Sequence, residues 1–328
     1  MTASPTVLVT GSVAFDYLMT FPGKFLEHFL PDRMNRISVS FLVDEMRRVR
    51  GGCAPNIAYG LAQFGERPRI LASAGADGAE YRDWLAGQGI DVSELRLHED
   101  LFTASFFVST DEEQNQIASF YAGGMARAHE QSIRDGGREA PAWVIVAPND
   151  PRAMARYPRE CREEEIPFLY DPSQQVARLS GEELREGMRG AAVLICNDYE
   201  SGILTQKTGL SEDDLLAEVE VLIVTRGAEG SSIRTRGERF TIPPARLRGP
   251  AVDPTGVGDA YRGALLVGML RGYPWELAGR VASVAAAYCL EALGPQAPRF
   301  SPEDFLRRFR ENFGGDETLS GLFASAAR

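Results

Sequence analysis

The stretch from Val252 to Gly263, with the order Asp253-Pro254-Thr255-Gly256-Val257-Gly258-Asp259, runs straight into the apolar segment 264–270. It has the form of a loop that becomes a helix. Gly256 and Gly258 let backbone N–H groups converge without obstruction from Cβ atoms. The helix N-terminus adds partial positive charge at the same place, which makes an anion site. Asp259 then stands in the first helical turn, beside that site. A carboxylate next to an anion cradle suits the deprotonation of a hydroxyl as it attacks a phosphoryl group. The same residues also fit an ordinary helix start, with Thr255 as the cap and Asp259 favouring the helix dipole. Position in the fold decides between the two.

Other segments carry candidate chemistry. Asp16 follows the short apolar strand that ends at Gly11. Gly51 and Gly52 precede a helix that contains Asn56, so bare backbone and an amide could meet a ligand there. Asn197 and Glu200 are spaced as a helix cap with a first-turn acid. Thr225, Gly227 and Gly230 follow another apolar strand.

Several chemistries are excluded. Gly11 is not followed by the glycines of a dinucleotide fingerprint, and no Walker-type phosphate loop occurs. His28, His98 and His129 fall in no metal-binding spacing, and Cys53, Cys161, Cys196 and Cys289 form no CxxC pair. The cysteines read as reduced, packed thiols, not as a disulfide framework or a zinc site.

The elements that must position these residues alternate in a regular way. Short apolar strands are expected at 7–11, 69–74, 92–97, 143–147, 167–171, 192–196 and 221–225, with helices between them. That rhythm predicts an α/β fold with a mostly parallel sheet covered on both faces. A hairpin is expected across Arg236-Gly237-Glu238, and helices over 255–271, 274–293 and 302–312. The segment after Gly314 is expected to be a loosely held terminus. Residues 17–49 are not helical in pattern; they alternate in patches such as Ile37 to Phe41, between loops at Pro22-Gly23 and Pro31-Asp32. With 103–109 and 116–121 they predict a small second sheet inserted into the α/β body. In a parallel sheet ligands sit beyond the carboxyl ends of the strands, and Gly11 to Asp16, Asp171, Asn197 to Glu200, Thr225 to Gly230 and the 252–263 stretch all lie just past expected strands.

With 328 residues and 25% charged side chains, the composition is that of an ordinary globular chain. A net charge of −11 and a pI near 5.0 disfavour nonspecific binding to nucleic acid or an anionic membrane. No apolar run is long enough for a membrane span and the N-terminus lacks a signal pattern, so a cytoplasmic location is expected.

Asp253-Pro254-Thr255-Gly256-Val257-Gly258-Asp259 resembles the D-T-x-G-x-G-D motif of the ribokinase (PfkB) family of carbohydrate and nucleoside kinases. Gly51-Gly52 with Asn56 resembles its N-terminal motif, Asn197 to Glu200 its N-x-x-E, and Thr225 to Gly230 its nucleotide loop. The resemblance implies one three-layer α/β/α kinase domain over 1–328, with a β-sheet lid built from about 15–49 and 100–124. It implies ATP-dependent phosphorylation of a primary hydroxyl, with Asp259 as base and the N–H groups of Gly256, Val257 and Gly258 as the anion hole. Asn197 and Glu200 would organise Mg²⁺ through water, and Asn197, Thr225, Gly227 and Gly230 would flank ATP. Asp16, Gly51, Gly52 and Asn56 would hold the sugar. Asp253 and Thr255 are candidates for a monovalent cation such as K⁺. Pro254 and Pro55 depart from the family pattern.

Within the family, residues 19–32 and 40–43, with Gln116 and Phe120 in the lid, are most similar to bacterial and archaeal nucleoside kinases of the adenosine kinase type. That implies phosphorylation of a purine nucleoside such as adenosine, inosine or guanosine at its 5′-hydroxyl. Phe102, Phe106, Phe107, Phe120 and Tyr121 could offer a platform for a base, and Gln116 could read its edge. A ribose or ketohexose kinase is the rival of the same chemistry; a catalytically silent nucleotide or sugar sensor is the rival of another class. Related lids also pair in homodimers.

Overall fold

A computed structural model describes residues 7–29, 36, 38–113, 115–135 and 139–323. Nine strands form the large sheet: β1 (Val7–Thr10), β4 (Arg69–Gly75), β5 (Leu95–His98), β8 (Trp143–Val146), β9 (Phe168–Tyr170), β10 (Val193–Asn197), β11 (Val221–Thr225), β12 (Ser231–Thr235) and β13 (Arg239–Ile242). Their spatial order is β13-β12-β11-β10-β9-β8-β1-β4-β5. All neighbours pair in parallel except the β11-β12-β13 meander at one edge. β1 lies between β4 and β8, so the chain departs to opposite sides of it. Such a reversal of strand order opens a crevice at the carboxyl ends.

Strand alternation builds the two outer layers. Val7, Val9, Val193, Ile195, Val221 and Ile223 point to one face, where helices α1 (Cys53–Gln63), α2 (Ala79–Gly87), α7 (Val257–Leu270), α8 (Trp275–Leu290) and α9 (Pro302–Phe313) pack. Leu8, Leu194, Cys196, Leu222 and Val224 point to the other, covered by α3 (Pro151–Glu163), α4 (Gly181–Met188), α5 (Asp198–Thr208) and α6 (Glu212–Glu218). A sheet covered on both faces needs continuously apolar strands. β4 has all seven residues buried, and its two polar ones, Arg69 and Ser73, are paired with Glu94 and Gln131. The fold is therefore the three-layer α/β/α arrangement with a smaller second sheet.

The smaller sheet has the order β3-β2-β6-β7, from β2 (Ala14–Thr20), β3 (Glu45–Gly51), β6 (Ala104–Thr110) and β7 (Gln116–Tyr121). Two expectations change here. Residues 38–44 form no strand. Phe41 instead joins an aromatic cluster, with its ring centroid 5.1 Å from that of Phe21 and 4.8 Å from that of Phe25. The Pro31-Asp32 loop lies outside the described residues. The tail is also better held than expected as far as Phe323. Leu319 and Leu322 are buried, and Phe323 stacks on Phe64 at 5.3 Å.

Candidate active site

β1 ends at Thr10, and the next residues tie it to α1. Ser12 N–H donates to Pro148 O, while the Ser12 hydroxyl and carbonyl accept from the N–H groups of Cys53 and Ala54. That junction fixes the start of α1. Gly52 sits at φ +93°, and a Cβ there would lie 2.5 Å from Ser12 O. Only glycine fits so close to another backbone segment. Pro55 falls in the first turn of α1, where its missing N–H has no partner within the helix to lose.

Asn56 faces α7 from α1. Its Nδ2 donates to Asp259 Oδ2 at 2.9 Å. Gln296 Nε2 donates to Asn56 Oδ1 at 2.7 Å and also reaches the Tyr81 hydroxyl, which donates in turn to Gly51 O at 2.9 Å. The chain of donors fixes which end of the Asn56 amide faces the carboxylate. Tyr81 and Gln296 are thus part of the site, though neither stands in a local motif.

Asp259 is buried, and burial pushes its carboxyl up to about 6. The guanidinium of Arg262 and the Asn56 hydrogen bond pull the other way, while Glu200 adds to the rise. Asp16, on β2, is likewise raised to about 6, first by burial and then by the negative charges of Asp253 and Asp259. Its Oδ2 lies where a Cβ on Gly51 would be, at 2.5 Å. The need for glycine at Gly51 is therefore the approach of this carboxylate.

The loop before α7 turns at Gly256, with φ +74°, and its Cβ position is only 2.3 Å from Pro295 Cβ. Asp253 shapes that loop: Oδ1 accepts from Thr255 N–H at 2.9 Å and Oδ2 from Gly294 N–H at 3.0 Å. Both oxygens of the candidate cation ligand are thus engaged in holding two loops together.

These residues surround one cleft of about 690 Å³. Asp16, Gly52, Asn56, Phe120, Asn197, Glu200, Thr225, Gly227, Thr255, Gly256, Gly258 and Asp259 all line it. Beside it lies a second, largely apolar pocket of about 470 Å³ that includes Gly230, Ala245, Leu247, Val257, Ala286 and Leu290. Thr225, Gly227, Pro254 and Gly258 line both. Pro254 thereby gains a structural account. Its rigid ring is part of the wall where the polar cleft meets the apolar pocket.

Gly51, Asp253 and Gln116 line neither space. Gln116 is exposed at the far end of β7 and donates weakly to Thr110 Oγ1 across the hairpin, at 3.4 Å. It shares a sheet face with Phe120 but stands four residues away, roughly 13 Å along an extended strand. Phe120 and its cross-strand partner Phe106 do face the cleft, and Phe106 is the register partner of Asp16. Tyr17 and Phe107 stack on the opposite face of the same small sheet.

Asn197 and Glu200 form a reciprocal capping box at the start of α5. Glu200 N–H donates to Asn197 Oδ1 at 2.7 Å, and Asn197 N–H donates to Glu200 Oε2 at 2.8 Å. Among the described residues, Glu200 Oε1 is held only by the Ser173 hydroxyl at 3.3 Å. It is buried and lines the cleft, so it can still accept from a metal-bound water. Asn197 Oδ1 is committed to the cap. Among the described residues no group of three His, Cys, Asp or Glu could hold a metal directly. A divalent ion shared mainly with substrate phosphates fits this donor set.

Sequence reasoning missed Arg262. Its guanidinium is buried and pairs with Asp171: Nη2 donates to Oδ1 at 2.8 Å, and Nε lies 2.6 Å from Oδ2 as an ion contact. A signal was present: Arg262 is the one charge after Asp259 in an otherwise apolar helix, and such a charge must find a partner. Asp171, at the end of β9, already stood on the predicted ligand edge.

A buried carboxylate beside a glycine-rich helix start, on a polar cleft next to an apolar pocket, suits phosphoryl transfer to a hydroxyl, and the protein is a phosphotransferase that acts on a hydroxyl group. The chain belongs to the pfkB family of carbohydrate kinases, whose model matches residues 13–302. A nucleoside kinase of Methanocaldococcus jannaschii is 28% identical over 292 residues, which cover 88% of this chain and 92% of that protein. The nucleoside kinase of Burkholderia thailandensis, in complex with inosine, superposes with a TM-score of 0.85 at 36% identity, covering 94% of this chain and 98% of that one. Its complex with ADP and inosine gives 0.82 at 37% identity, over 94% and 96%. The chain is a kinase of nucleosides or sugars.

Proposed function

We propose that the protein transfers the γ-phosphoryl group of ATP to the 5′-hydroxyl of a purine nucleoside. The observation that carries this reading is the grouping of Asp16, Asn56 and Asp259 with Phe106 and Phe120 around one cleft. A carboxylate and an amide can each pair with the vicinal hydroxyls of a ribose. The two phenylalanine rings offer an apolar surface for a flat base. A free sugar needs the first group but not the second. The inosine held by the Burkholderia relative supports the same choice.

In this reading the apolar pocket takes the adenine of ATP, and its polyphosphate runs past Thr225 and Gly227 toward Gly256–Gly258. Backbone N–H groups of that loop receive the charge of the transferring phosphoryl. Asp259 takes the proton of the attacking hydroxyl. A hydroxyl in a loose phosphoryl-transfer transition state becomes acidic late, so an oriented carboxylate is sufficient. Glu200 would hold a divalent ion such as Mg²⁺ through water, and that ion would supply charge neutralisation on the phosphates. The small sheet, carrying Asp16, Phe106 and Phe120, covers the nucleoside and excludes water as the lid of a single kinase domain.

Two expected outcomes follow from the geometry. Asp259 must be ionised to act, so kcat/KM should rise with pH and level off above about 6, following its raised carboxyl. Because Asp16 titrates in the same range, the limb should be steeper than one proton. A rate independent of pH between 4.5 and 7.5 would contradict this. Phe120→Ala should raise KM for the nucleoside about tenfold, the loss of one aromatic contact, while Gln116→Ala should leave it unchanged. Initial-rate kinetics on the two variants decide the point.

The function itself is tested by ATP turnover with adenosine, inosine, guanosine, ribose and fructose as acceptors. The expected result is a purine nucleoside preferred by kcat/KM over both sugars. Turnover of ribose or fructose but of no nucleoside would replace this reading with a sugar kinase. No turnover with any acceptor, despite tight binding, would make the protein a sensor.

A further inference from the structure

Arg262 lies one turn after Asp259 on α7, with only a small part of its side chain exposed, and it lines the cleft. Nη2 donates a hydrogen bond to Asp171 Oδ1, and Nε lies in ion contact with Oδ2. Its third nitrogen is placed differently. Nη1 makes no hydrogen bond among the described residues, and Asp259 Oδ1 stands 3.9 Å from it, beyond hydrogen-bond reach. A Cβ on Gly258 would lie 2.4 Å from the same Nη1. The donor is therefore packed against the backbone of the anion-binding loop, between that loop and the base.

A salt bridge that served only to neutralise Asp171 would have no reason to reach the cleft. A buried ion pair is also weak support for stability, because desolvation offsets much of its attraction. Here the pair has a geometric consequence. One hydrogen bond from Nη2 and the close Nε–Oδ2 ion contact hold the guanidinium against Asp171, so Nη1 is aimed in advance. Lysine has a single nitrogen and could not both pair with Asp171 and aim a second donor.

We propose that Arg262 is a catalytic residue of the phosphoryl transfer, donating from Nη1 to a non-bridging oxygen of the γ-phosphoryl group, with Asp171 as the residue that positions it. The proposal rests on the reading of the cleft as the transfer site. A preset donor at that point matches charge that develops as the phosphoryl group leaves ADP and reaches the nucleoside hydroxyl. It also explains why Gly258 has no side chain, since any would displace the guanidinium.

Arg262→Lys and Asp171→Asn test it, with ADP affinity, nucleoside KM, kcat and affinity for ADP with aluminium fluoride measured on each folded enzyme. The expected result for Arg262→Lys is a kcat at least a hundredfold lower, with ADP affinity and KM within about threefold of wild type. Binding of the ADP–fluoroaluminate–nucleoside complex should weaken in parallel with kcat, since that complex mimics the transferring group. Asp171→Asn keeps the guanidinium but loosens its anchor, and should lose at least tenfold in kcat alone. A kcat within threefold of wild type in Arg262→Lys overturns the proposal, as does a loss confined to KM or loss of the folded state in both variants. These outcomes leave the reading of the cleft standing. Only failure of the wild-type enzyme to phosphorylate any acceptor removes both.

Discussion

Asp259→Asn is expected to lower kcat about 10³-fold, with nucleoside KM within a few-fold of wild type. The substitution keeps shape and volume but removes the proton acceptor, and general-base catalysis contributes about 10²–10⁴-fold. Asn56 gives the variant a second signature. In the native protein its Nδ2 donates to Asp259 Oδ2, and Gln296 prevents the amide from turning over. An Asn at 259 can present an oxygen to the same donor, so the fold should persist and melting should shift little. Burial gives a further reason to expect stability, because it raises the native carboxyl to about 6. A folded-state value above the unfolded one, near ~3.9, means that stability falls as pH rises from about 4 to about 6 and carries the full penalty above that. The neutral amide escapes that penalty. Single-turnover kinetics with excess enzyme measures the chemical step, and a kcat within tenfold of wild type would remove Asp259 from the mechanism.

Gly256→Ala is expected to have the next largest effect, by a different route. Gly256 turns the chain at φ +74° at the entrance to α7, and a methyl there meets Pro295 at 2.3 Å. An L-residue in that conformation costs about 1–2 kcal/mol before any clash. The contact with Pro295 is with a rigid ring in the loop tied by Asp253 to Gly294, so the strain cannot be absorbed by a flexible side chain. The N–H groups of the loop should therefore move off the phosphoryl position. Loss of one such donor lowers kcat by about 10²–10³. A fall in kcat of that size, together with a lower melting temperature, is the expected pair of results. A lower melting temperature with unchanged kcat would show that the turn is structural only.

Most of the architecture was legible because a parallel sheet leaves a strong local record. Apolar strands such as Val221 to Thr225, separated by helical segments, read directly as buried strands. The glycines and the aspartate of 253–259 were legible for the same reason: all their chemistry is local. Reading failed where contacts are distant or where direction matters. Gln296 lies 240 positions from Asn56, and nothing around it marks it as a partner. Gln116 looked suited to a purine edge, yet strand geometry carries it along β7 and out of the cleft. Phe41 sits in an alternating patch, but its aromatic neighbours drew it out of strand pairing. Arg262 was legible in principle, as a charge in an apolar helix. Its direction into the cleft needed Asp171 and Gly258 in place.

The most direct measurement follows labelled phosphate from [γ-³²P]ATP in the presence of the preferred purine nucleoside, with separation of the products. The account predicts one nucleoside 5′-monophosphate formed per ADP by the wild-type protein and almost none by Asp259→Asn. ATP consumed without label on the nucleoside, or label appearing equally with both proteins, would contradict it.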